Sequence, residues 1–156
     1  LLADDFVPTV EALLQRENLD PRRLCFEITE QAAVRNLELL RSVMRHIRNC
    51  GIRFSLDDFG SGICRLRYLT QLPLAFVKLD ECVTGYVDDD PLQREFVRTV
   101  AHLCRTRGIR TVAEYTRTPE QMARLVADGV DLFQGELFGM PRPATEGLKP
   151  AIPTAI

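Results

Sequence analysis

The chain has 156 residues, 46% of them hydrophobic, and a formal net charge of −2. That is enough apolar material for one core, and no run approaches the roughly 18 consecutive apolar residues of a membrane span. The arginines mix with acids along helical stretches, which excludes the basic footprint of a duplex-binding domain.

The five cysteines are odd in number and form no C-x-x-C pair, which argues against a disulfide framework or a zinc site. They are expected as small buried or half-buried hydrophobes in a reducing, cytoplasmic setting. Leu1-Leu2-Ala3-Asp4-Asp5 has neither the basic nor the apolar region of a secretory leader. The chain begins without Met, as a fragment or processed product does.

In chain order, Phe6 to Glu17 shows apolar residues at helical spacing and predicts the first helix. A strand-like run, Leu24 to Ile28, follows. Leu37 to Ile47 is again helical and leads through Gly51 into a strand at Arg53 to Asp57. Phe76 to Leu79 is a third strand. Asp90-Pro91 opens a helix whose apolar stripe runs from Phe96 to Cys104, and Gly108 leads to a strand at Arg110 to Glu114. Thr118-Pro119-Glu120-Gln121 reads as an N-cap, a proline at the first helical position and a capping-box residue. The helix it starts, with apolar residues from Met122 to Val126, passes through Gly129 into a fifth strand, Val130 to Gln134. Glycine after a helix suits the left-handed residue that ends it. The rhythm is β/α repeated, which predicts a parallel sheet. The stretch from Pro141 to Ile156, rich in Pro, Thr and Ala, reads as an exit tail.

Each strand ends in polar chemistry. Glu27 and Glu30 mark the first, Asp57-Asp58 the second, Lys78 and Asp80 the third, Glu114 the fourth and Gln134 the fifth. Ligand sites of barrels and open parallel sheets lie at that end. Glu27, Asp57, Asp58 and Glu114 in one mouth carry more charge than Lys78 balances, so they are expected to bind cations. Carboxylates are hard ligands suited to Mg²⁺, Mn²⁺ or Ca²⁺. Adjacent aspartates can serve a pair of metals, the arrangement suited to phosphodiester cleavage. His46 and His102 fall inside helical runs and are expected as surface or packing residues, not zinc ligands.

These residues resemble a known family. Glu27-Ile28-Thr29-Glu30, Asp57-Asp58-Phe59-Gly60-Ser61-Gly62, Val77-Lys78-Leu79-Asp80, Val112-Ala113-Glu114 and Gln134-Gly135 with Phe138 and Pro141 stand in the order of the EAL domain motifs. The resemblance implies a TIM-like (β/α) barrel of class α/β, with about its last five β/α units in this chain. It implies an EAL domain portion over residues 1–143 and a tail over 144–156. It also implies hydrolysis of cyclic di-GMP to linear pGpG with Mg²⁺ or Mn²⁺. Carried over, Glu27, Asp57, Asp58 and Glu114 are metal ligands. Lys78, Glu114 and Gln134 are catalytic or supporting residues. Glu30, Ser61 and Gly62 anchor the loop. By analogy the partners are a second copy, or an N-terminal sensor or GGDEF-like domain.

The sequence also departs from the family. Glu11-Ala12-Leu13 matches the naming motif by letters only, and the strand bearing the family's asparagine has no counterpart. Ile63-Cys64-Arg65-Leu66 replaces the usual loop, Tyr115 a glycine, Glu136 an aromatic residue and Met140 a basic one. Two readings stay open, a metal-dependent phosphodiesterase and a non-catalytic relative that senses the nucleotide or binds a protein. The departures favour impaired turnover for the chain as written. An unrelated acidic-mouthed barrel, such as a glycosidase, is the remote third.

Overall fold

The computed structural model describes residues 5–29, 37–62, 66–87 and 90–143. Strands β1 (Cys25–Thr29), β2 (Arg53–Phe59), β3 (Phe76–Leu79), β4 (Arg110–Ala113) and β5 (Leu132–Phe133) form one parallel sheet in chain order. The helices are α1 (Phe6–Arg16), α2 (Leu37–Asn49), α3 (Arg67–Gln71), α4 (Glu81–Thr84), α5 (Pro91–Thr106) and α6 (Pro119–Ala127). Each strand lies next to its successor, with no reversal of order. That is the progression of a barrel wall; a doubly wound sheet would reverse at a switch point.

The expected punctuation is in place. Asp90 accepts a hydrogen bond from Leu92 N at 2.8 Å and Thr118 from Gln121 N at 3.1 Å, each just before a proline at the start of a helix. Gln121 does not close a capping box. Its Oε1 accepts from Arg117 N and its Nε2 donates to the Thr84 carbonyl, which ties α6 to α4. Gly51, Gly108 and Gly129 all have positive φ.

Helix α2 buries Leu37, Leu40, Met44 and Ile47, and α5 buries Val97, Val100, Ala101 and Cys104. These stripes meet Ile28, Phe54, Leu56, Val77 and Leu79 of the sheet in one core. Phe6 of α1 joins it by packing on Phe26, which packs on Phe54, with ring centroids 5.8 and 5.9 Å apart. Met44 is fully buried, so its truncation to Ala should cost about 2–5 kcal/mol.

Side chains alternate across the sheet. With Phe26, Phe54, Leu56 and Val77 facing the helices, Glu27, Arg53, Ser55, Asp57, Phe76, Lys78, Arg110 and Val112 face the other way, as the strand register requires. On that face Arg53 and Arg110 both lie over the Phe76 ring, 5.3 and 4.8 Å from its centroid. One layer further along the strands comes the polar set.

The fifth strand is shorter than expected. Val130 N closes the turn after α6 on the Leu125 carbonyl, and the Asp131 carboxylate accepts from Thr111 N at 2.8 Å, so only Leu132 and Phe133 pair along the ladder. Cys50 is half-buried and Cys104 buried, as expected, but Cys25 and Cys82 are exposed. Cys25 stands on the sheet face away from the helices, and Cys82 is the second residue of α4. Glu30, Cys64 and the tail 144–156 lie outside the described residues. Among the described residues no helix is long and apolar enough to cross a membrane.

Candidate metal centre

The second strand sets the site. A regular strand would send Asp57 and Asp58 to opposite faces. Here Thr29 pairs with Asp57 across β1, but the pairing with β3 slips between Leu56 and Phe59. The slip is a bulge, with Asp58 in the left-handed region at φ 56°. Aspartate tolerates that conformation better than most residues. The bulge turns both carboxylates toward one end of the sheet. A turn then pins the chain, since Ser61 N and Oγ both donate to the Asp58 carbonyl, at 3.2 and 2.8 Å. Gly60 has φ 104°, and a Cβ there would run into Val83 Cγ2, so this position takes no side chain.

Asp57, Asp58 and Glu114 bring carboxylate oxygens within 4.8 Å of one another. Lys78, almost fully buried, reaches Asp57 Oδ1 at 2.8 Å, Glu114 Oε1 at 2.9 Å and Glu27 Oε2 at 3.3 Å. Burial opposes the charge of its ammonium, but the Asp57 and Glu114 carboxylates outweigh that and hold its pKa well above the usual lysine range. For Glu114, burial raises the pKa, Lys78 pulls it back, and the charges of Asp57 and Asp58 raise it again; the balance is upward.

Four of the expected site residues therefore meet around Lys78 or beside it. Glu27 belongs to the group through Lys78 but lies outside the tight trio. Gln134 stands one strand further on, its backbone held between Ala113 and Thr116 at 2.8 and 3.0 Å. It lines a cleft of about 480 Å³ with Glu114, Tyr115, Phe133 and Phe138. Ser61 anchors the loop as described. Gly62 meets nothing within 4 Å that would bar a side chain, and Glu30, its expected partner, lies outside the described residues. Glu11 of the Glu11-Ala12-Leu13 triplet sits on α1, away from this trio, so the match by letters is coincidental.

A model of the EAL domain family matches residues 1–141. The chain belongs to the EAL domain family. It is 34% identical over 141 residues to cyclic di-GMP phosphodiesterase PdeB of Shewanella oneidensis, covering 90% of this chain and 16% of that protein. Among solved structures, the EAL domain of Mycobacterium smegmatis DcpA superposes with a TM-score of 0.86 at 30% identity, covering 94% of this chain and 66% of that one. The manganese and cyclic di-GMP complex of Klebsiella pneumoniae BlrP1 superposes at 0.82 and 29% identity, covering 89% and 36%. The chain thus spans a small part of its curated relative's length, and its five parallel strands are part of an EAL barrel wall.

Two positioning residues of this EAL domain, Thr84 and Gln121, were not legible in these roles from the sequence. Fully buried Thr84 donates from Oγ1 to the Glu114 carbonyl at 3.2 Å, and Gln121 in turn holds the Thr84 carbonyl at 3.3 Å. Thr84 belongs to a four-residue helix too short to show a pattern, and the periodicity of α6 does not reveal which carbonyl Gln121 meets.

The carboxylate set fits a divalent cation. Its donors are all hard oxygens, they crowd like charges together, and one ammonium pairs with only three of the four carboxylates.

Proposed function

We propose that this chain contributes the metal-binding wall of a cyclic di-GMP phosphodiesterase, which uses water to open the cyclic dinucleotide to linear pGpG. The observation that carries the reading is the trio Asp57, Asp58 and Glu114, gathered within 4.8 Å beside a charged, buried Lys78. The names of the relatives support the substrate.

Asp57, Asp58 and Glu114, with Glu27 at the margin, would hold Mg²⁺ or Mn²⁺. When bound, such a cation lowers the pKa of its water and offsets phosphate charge. Lys78, whose ammonium pairs with Asp57 and Glu114, is placed to orient a water or a phosphate oxygen. Glu114, its backbone fixed by Thr84 and its carboxylate 2.9 Å from Lys78, is placed to orient the attacking water. Gln134 lines the cleft beside it. The long relatives support a further domain in the working protein.

Hydrolysis of cyclic di-GMP with Mn²⁺, followed by chromatography, tests this. Asp57→Ala should lower turnover by at least about 100-fold. Asp58→Gly keeps the left-handed bulge yet removes the ligand, so it should lose turnover while its Tm stays near that of the parent. Turnover indifferent to both variants and to a chelator would overturn the proposal. Binding without turnover would favour the sensor reading, for which the observation is Tyr115, exposed at the cleft beside Glu114 with φ 53°.

A further inference from the structure

A second group of metal-ligating side chains lies outside the carboxylate mouth. His46 stands in the last turn of α2 and Cys50 just past its end, four residues on, so both share one face of that helix. Glu11 comes to them from α1. Its Oε1 lies 3.4 Å from His46 Nε2 and 3.4 Å from Cys50 Sγ, and all three ligand atoms fall within 4.8 Å of one another. Helix α2 ends where β2 begins, so this group belongs to the end of the sheet opposite the carboxylate trio. Conserved chemistry at the strand C-termini is catalytic in barrels, whereas the other end serves stability.

The two 3.4 Å spacings from Glu11 Oε1 match a known coordination shell. Zinc bonds of about 2.3 Å to sulfur and about 2.0–2.1 Å to nitrogen or oxygen put tetrahedral neighbours about 3.3–3.6 Å apart. The donors differ in kind from the other site. Thiolate, imidazole and one carboxylate make a borderline-soft set that suits zinc, whereas the trio Asp57, Asp58 and Glu114 is wholly hard oxygen. The Glu11 and His46 side chains are 44% and 61% exposed, which leaves room for a water as fourth ligand.

We propose that Glu11, His46 and Cys50 form a second metal site, selective for a zinc-class divalent cation, that staples α1 to α2. The Cys50 thiol, within reach of both Glu11 Oε1 and the His46 carbonyl, releases its proton to solvent as sulfur gives its lone pair to the cation. No electron changes hands. The site is independent of the proposed hydrolysis and is read without nucleotide.

Cobalt(II) is the probe, added to the metal-stripped chain. One equivalent should produce a thiolate-to-cobalt charge-transfer band and tetrahedral d–d bands, and zinc should bleach both. Asp57→Ala should keep the bands, and Cys50→Ser should lose the charge transfer. His46→Ala and Glu11→Gln, both at exposed side chains, should weaken cobalt binding at least about tenfold, with unchanged circular dichroism spectra. Zinc at 100 times its dissociation constant should raise the Tm by roughly 5–10 °C, and this rise should vanish in His46→Ala. Either of two results overturns the site: no charge transfer in the parent chain, or a band that survives Cys50→Ser and so belongs to another thiol. Metal bound only where Asp57→Ala removes it would likewise overturn it.

Discussion

At the scale of single residues, backbone conformation decides as much as side-chain type. Asp58 and Tyr115 both adopt positive φ, at 56° and 53°. At Asp58 the conformation is useful, because it brings a second carboxylate to the mouth. Tyr115 is 50% exposed at the rim of the cleft, and among the described residues its ring makes no hydrogen bond. A left-handed tyrosine costs roughly 1–2 kcal/mol, while glycine in its place returns about 0.4–1 kcal/mol of unfolded-chain entropy. The strain wins, so Tyr115→Gly should raise the Tm by about 1–2 °C; a fall on thermal unfolding would show that the ring makes a contact worth more than the strain. Lys78→Met tests the charge balance. With chelator present it leaves Asp57 and Glu114 half-buried or buried without a cation, at a cost of about 3 kcal/mol at neutral pH. The Glu114 carboxyl is already raised in the fold, and losing Lys78 raises it further. A raised carboxyl favours the fold when protonated and penalises it as pH climbs through the folded pKa. The deficit of Lys78→Met should therefore shrink on acidification, which denaturation at several pH values will show.

At the scale of elements, each β/α unit is closed by polar contacts that periodicity does not reveal. The buried Asp128, at the end of α6, accepts from Arg94 Nε at 2.9 Å and Arg98 Nε at 2.7 Å, both on α5. Burial would raise its carboxyl, but the two guanidinium groups win and hold it below the usual range. A depressed carboxyl contributes stability above its unfolded pKa and loses it as pH falls through the folded one. Asp128→Asn should cost about 2 kcal/mol at pH 7, and the gap from the parent should close in acid below the ordinary aspartate range. A gap independent of pH would mean that packing, not charge, joins α5 to α6. The helix starts were legible because Asp90-Pro91 and Thr118-Pro119 are local signals. The short helices α3 and α4 were not, since five and four residues hold too little pattern to register.

At the scale of the whole molecule, β1 and β5 are the edges of the described sheet, and the face bearing Glu27, Arg53 and Arg110 is open. Unpaired strand edges invite further pairing. In a closed barrel that face is filled by layers of side chains. The chain by itself should therefore associate with rising concentration in sedimentation velocity; a single monomeric species at all concentrations would show that these edges are otherwise protected.

The order of strands, the family and the carboxylates at the strand ends are all written in the sequence, because each depends on local periodicity or on short motifs. Three features were decided only by the tertiary structure. The bulge that turns Asp58 to the side of Asp57 depends on pairing with β3. The carboxylates that hold Lys78 charged against its burial come together only because three strands meet. The meeting of Glu11 with His46 and Cys50, where the sequence suggested ordinary helix surface, depends on how α1 packs on α2. All three arise between residues far apart in the chain, and contacts at that range leave no periodic trace along it.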